Sequence, residues 1–131
     1  LKRGKPKGSW AWAQVASGLY IGFFLLQHLG AIIAARISYN FETTTYFAAA
    51  VVSAEPFAWY FIPYYVLGVA AVFTHIAAAA RFAIWPEPAK WWHKALPVVG
   101  LAFALSVVIA LSLGAFAELP PENRAYLDDL L

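Results

Sequence analysis

Three stretches of this chain, at about residues 12–37, 57–84 and 95–117, are long and apolar enough to dictate its solvent. Each exceeds the ~20 helical residues that cross ~30 Å of hydrocarbon. The charged residues within them, Arg36 and Arg81, sit near ends from which a long side chain snorkels to the interface. Composition agrees: with 63% hydrophobic and 12% charged residues in 131, too little polar surface remains to cover a soluble domain. The expected fold is an all-α integral membrane bundle of three transmembrane helices, a single domain over residues 1–131, with a basic arm at 1–9 and an acidic tail at 118–131. The first stretch follows a basic segment, as in a secretory signal, but its apolar run far exceeds the ~7–15 residues of a signal core. It is read as a permanent helix.

Charge sets the expected orientation. Lys2, Arg3, Lys5, Lys7, Arg81, Lys90 and Lys94 fall on one side of the spans, leaving Arg36 and Arg124 of the 9 basic residues on the other. By the positive-inside rule the N-terminus and second loop are cytoplasmic and the C-terminus outside, in a bacterial-type inner (cytoplasmic) membrane crossed several times. Glu42, Glu55, Glu118, Glu122, Asp128 and Asp129, six of the 7 acids, lie on the outer side. The net +2 is therefore the sum of two opposite faces, and topology and lipid headgroups account for the basic one without nucleic acid. The absence of cysteine excludes disulfides, iron–sulfur ligation and a thiol nucleophile in this chain.

Aromatic residues mark both interfaces: Trp10, Trp12, Trp85, Trp91 and Trp92 on the inner side, Trp59, Tyr60, Tyr64 and Tyr65 on the outer. The outer loop, 38–56, contains an alanine-rich segment expected to form a short helix lying on the surface. The inner loop stops the second span with Pro86 and Pro88, and Pro63 and Pro97 are placed near helix starts, where a missing N–H costs little. No internal repeat, dinucleotide fingerprint, phosphate-binding loop or HExxH motif is present.

Two histidines lie inside the spans, His28 in the first and His75 in the second, and an ionisable side chain in hydrocarbon is a functional hypothesis by default. The competing reading is a neutral imidazole bonded to a neighbouring helix. Gly68, Ala71, His75, Ala78 and Ala79 share one helical face almost without bulk. That face suits a planar macrocycle ligated by an imidazole, or else close helix packing, as does Gly18-xxx-Gly22. Depth separates the two histidines. At ~1.5 Å per residue His28 lies about 24 Å from Trp12, whereas His75 lies about 9–15 Å from Arg81 and Trp85. One iron cannot take both, because its two axial nitrogens lie within ~4 Å of each other. Each would serve a separate cofactor, the missing ligands coming from another chain. His93, in the Trp91-Trp92-His93 run, reads as an interface anchor.

Ser17-Gly18-Leu19-Tyr20-Ile21-Gly22-Phe23-Phe24-Leu25-Leu26-Gln27-His28-Leu29 resembles the first-helix SG-L-x-x-G-x-F-x-x-x-H segment of the cytochrome b membrane anchors of succinate dehydrogenase and fumarate reductase, the complex II family. His75-Ile76-Ala77-Ala78-Ala79-Ala80-Arg81-Phe82 is similar to their second-helix H-x5-R segment, and the resemblance covers roughly the first 85 positions. It implies haem b ligated by His75 near the inner face, Arg81 compensating its propionates, and His28 serving an outer haem. It also implies electron transfer between quinone and flavin and iron–sulfur subunits docked on the cytoplasmic face. The chain itself would be an electron carrier without bond chemistry. Of the residues that bind quinone in three-helix anchors only Ser17 has a counterpart; the arginine is absent, and Phe82 stands where a histidine often follows the second-helix arginine.

A different class of function remains open beside this one: a haem-free or pigment-binding accessory subunit of a larger membrane assembly, such as a photosynthetic complex, with bacteriochlorophyll magnesium on a histidine. A transporter lacks its central carboxylate or broken helix here. A hydrolase lacks a nucleophile, base and acid at one depth. Either favoured reading expects other membrane subunits of a hetero-oligomeric complex around this chain, with lipid covering the rest.

Overall fold

The computed structural model describes residues 8–84, 87–113 and 119–129, and these are all-helical: α1 (Ser9–Ser38), α2 (Thr45–Ser53), α3 (Phe57–Ala83), α4 (Trp91–Leu113) and α5 (Pro121–Asp128). Lys2, Arg3, Lys5 and Lys7 of the basic arm, Trp85, Pro86, the end of the third expected span and Glu118 lie outside the described residues. Helices α1, α3 and α4 are long and apolar enough to cross a membrane. α3 packs against both of the others, which do not pack on each other along their spans.

Glycine sets both seams. A Cβ at Gly100 on α4 would lie 2.4 Å from Phe73 Cβ on α3, and one at Gly68 on α3 would lie 2.5 Å from the Phe24 ring on α1. Hydrocarbon gives helices no hydrophobic reason to associate, so such close approach, with its dispersion contacts, holds the bundle together. Polar groups add to the α1–α3 seam. Tyr64 donates its hydroxyl to the Phe24 carbonyl at 2.8 Å, and Tyr20 donates to the Tyr64 carbonyl at 3.4 Å. Tyr64, expected in an interfacial belt, is buried and stacked between Phe24 and Tyr60, whereas Trp59, Trp91 and Trp12 are exposed as such a belt requires.

The short helix of the loop between the first two spans does not lie on the surface. Thr44 accepts the Tyr46 N–H at its start, and Ala49, Ala50, Val51 and Val52 are buried. Ala50, Val51 and Val52 pack with Leu127 of α5 and with Phe57, Phe61, Ile62 and Tyr65 of α3. α2 is apolar on enough of its surface to be drawn under α5, which the sequence reading did not expect to be a helix. Asn40 takes the left-handed conformation (φ 48) that asparagine tolerates, and the Phe41 N–H returns to the Ala35 carbonyl. The turn lays Phe41 flat on Tyr126 of α5, centroids 4.6 Å apart, with Phe47 and Tyr39 around it.

One further boundary shifts. α4 starts at Trp91, and Pro63 and Pro97 each fall in the second turn of their helices. Arg36 stays exposed with Nε bonded to Thr43 Oγ1, but Arg81 is buried, so its side chain turns into the bundle instead of snorkelling to lipid headgroups.

Gly100→Ala should destabilise the protein by about 1–3 kcal/mol, because the new methyl meets a Cβ that cannot swing away. Gly22→Ala, with nothing within 4 Å of the added atom, should be nearly neutral; thermal unfolding in detergent compares the two. Burial, and then the neighbouring Tyr39, raise the Tyr126 hydroxyl above its usual 10.0. The neutral phenol is the form the fold prefers, so this contribution is complete below pH ~10 and falls as pH rises through the raised value. Tyr126→Phe should remove that alkaline loss from a series of melting curves.

Candidate functional site

His75 projects from α3 onto the first half of α1, where Gly18 leaves room: a Cβ there would lie 3.2 Å from His75 Cε1. Its Nδ1 is 3.1 Å from Ser17 Oγ and 3.2 Å from the Gln14 carbonyl oxygen. These contacts favour one tautomer. A carbonyl only accepts, and Ser17 spends its single hydroxyl proton on the Ala13 carbonyl at 2.6 Å, with the Gln14 carbonyl at 3.2 Å. Nδ1 therefore carries the ring proton and donates it, leaving a lone pair on Nε2 at the far edge of the ring. Metal-binding histidines are oriented in this way, by donating the other N–H to a carbonyl or carboxylate.

The small-residue face divides in two around this histidine. Gly68 is covered by Phe24, and Ala71 and Ala78 are buried, so those three serve helix packing. Ala79 is exposed, beside exposed Val72 and Ile76. The half-buried His75 thus stands at the border between the α1 seam and an open apolar strip of α3. Ser17 is 6% exposed with its hydroxyl engaged, and a quinone oxygen could bond it only by displacing those partners.

His28 is held differently. It stacks on Phe24 at 5.5 Å and meets Tyr65 edge-on at 6.4 Å. It opens on a small cavity of about 100 Å³ shared with Gln27, Phe47 and Tyr60. Gln27 Nε2 donates to the Tyr60 hydroxyl at 3.3 Å across this space. On α1, Gly18 stands opposite His75, and His28 is ten residues further along. At ~1.5 Å per residue that is about 15 Å, so the register keeps the two imidazoles at separate heights.

His93 has a role that sequence reasoning missed. It is fully buried, with Trp92 stacked at 3.7 Å and Trp10 edge-on at 6.2 Å. Its Nδ1 accepts the Lys90 N–H at 3.0 Å, the reciprocal contact of a capping box with imidazole in place of a glutamate. The spacing Lys90-x-x-His93 carries that signal. With Nδ1 engaged, the ring proton sits on Nε2, which has no hydrogen-bond partner. Among the described residues no three His, Cys, Asp or Glu side chains converge to hold a metal ion.

Compared with family models, with curated proteins and with solved structures, the chain has no match.

Nitrogen-15 spectra of histidine-labelled protein at pH 8 should show one imidazole protonated at Nδ1, lost in His75→Gln, and one protonated at Nε2, lost in His93→Gln. The opposite tautomer at His75 would remove the ligand geometry described above.

Proposed function

We propose that this chain is a haem b-binding membrane anchor that passes electrons between quinone and the soluble subunits of a complex II-type oxidoreductase. The observation that supports it most is the orientation of His75: Nδ1 is tied to the Gln14 carbonyl and Ser17, and the Nε2 lone pair is left for a metal. Haem bound there supplies reversible one-electron transfer. His75 would hold the iron, and Gln14 and Ser17 would hold the ring. Arg81, six residues further along α3 and buried in the bundle, would act on the propionates through its charge at a distance, not by contact. The resemblance of residues 17–29 and 75–82 to complex II anchors favours the same assignment.

Open neighbours Val72, Ile76 and Ala79 would leave room for the macrocycle on the outside of α3, where another membrane subunit would help to hold it. His28, about 15 Å along the bundle, would serve a separate group. The concentration of basic residues at the His75 end argues that this end is cytoplasmic, in a bacterial-type inner membrane, with flavin and iron–sulfur subunits docking there.

One observation favours a second reading. A single axial nitrogen is what the central magnesium of bacteriochlorophyll takes, so the same His75 would suit a pigment-binding subunit of a photosynthetic assembly.

A reduced-minus-oxidised visible spectrum of the purified complex distinguishes these. A b-type band lost in His75→Ala, and weakened in Ala79→Trp where bulk would crowd the open strip, is the expected result. A band indifferent to His75, or none, sinks the haem reading; a far-red pigment band lost in His75→Ala would establish the second.

A further inference from the structure

At the end of the bundle remote from His75, the turn after α1 and the start of α5 enclose a crevice of about 450 Å³ lined by Asn40, Phe41, Glu42, Thr44, Glu122 and Asn123 among others. Two features mark it as more than a gap. Neither Glu42 nor Glu122 forms an ion pair with a described residue. Asn123 is only 4% exposed, yet its side-chain amide has no hydrogen-bond partner among the described residues and faces the crevice that it lines.

The lining selects the ligand by chemistry. Two carboxylates, an amide oxygen and the Thr44 hydroxyl offer acceptors, and no basic side chain lines the crevice. Arg36 is held in the adjacent crevice by Thr43 Oγ1 at 2.7 Å. A bare divalent cation needs ~6–8 oxygens at ~2.3–2.6 Å. The space is too wide for that cage, and lies in the ~300–1,000 Å³ range of organic ligands. Phe41 adds an aromatic ring, against which a flat, weakly hydrated cation is favoured over ammonium.

We propose that this crevice binds a guanidinium group, with Glu42 and Glu122 taking its N–H donors and the Asn123 side-chain carbonyl accepting another. The site is independent of any cofactor at His75. The group has two possible sources, an arginine side chain of a partner protein or a free guanidino compound.

Calorimetry on the full chain in phosphatidylcholine nanodiscs tests the site. Agmatine and N-acetyl-arginine amide are the cationic probes, and butylurea is the neutral isostere. At least one cationic probe should bind saturably, tenfold or more tighter than butylurea, and weaken about tenfold in Glu42→Gln and in Glu122→Gln. Tighter binding of N-acetyl-arginine amide assigns the site to a partner's arginine, and tighter binding of agmatine to a free compound. No saturable binding, equal binding of butylurea, or unchanged affinity in both variants with native circular dichroism overturns the proposal. The butylurea comparison needs no variant and so survives any folding defect.

Discussion

Hydrocarbon offers no hydrogen bonds, and the α1–α3 seam is arranged around that fact. At one level the Tyr64 hydroxyl caps the second lone pair of the Phe24 carbonyl; roughly three turns nearer the other end, the His75 ring does the same for Gln14. Each bond needs a bulky ring beside a helix backbone, and each finds a small neighbour to make room. Gly18 stands beside His75, and Gly68 accepts the Phe24 ring on which Tyr64 stacks. Register, tautomer and helix separation thus follow from a few groups that lipid would leave unsatisfied.

The spans were legible in the sequence because length and apolarity suffice to identify a crossing, and α1 and α3 match their expected bounds within a few residues. The burial of α2 was not legible. Its alanines and valines are equally suited to a lipid interface or to a protein lid, and only the presence of α5 decides between them. Gly18-xxx-Gly22 shows the same ambiguity. Gly18 receives His75, while Gly22 faces open space.

The candidate site was half visible. A histidine in a span is a signal, and its depth relative to tryptophan and arginine gave a separation from His28 that the helix register repeats. Its acceptor could not be read, since a backbone carbonyl 61 residues away leaves no trace in residue type. The bulk-free face of α3 illustrates why small residues underdetermine function: Gly68, Ala71 and Ala78 are consumed by neighbouring helices, and Ala79 alone of the four stays open. Alanine says that something comes close; it does not say what.

The seam between α1 and α3 also bears on how the chain is built. α1 is synthesised before α3, carrying Gln27 and Tyr20, whose partners Tyr60 and Tyr64 lie on α3, 33 and 44 residues later in the sequence. α4 offers α1 no helix packing that would substitute for α3. Until α3 emerges from the ribosome, those polar groups face either lipid or whatever protein receives the nascent helix. The order of synthesis thus leaves these polar side chains of α1 without their α3 partners until α3 pairs with it.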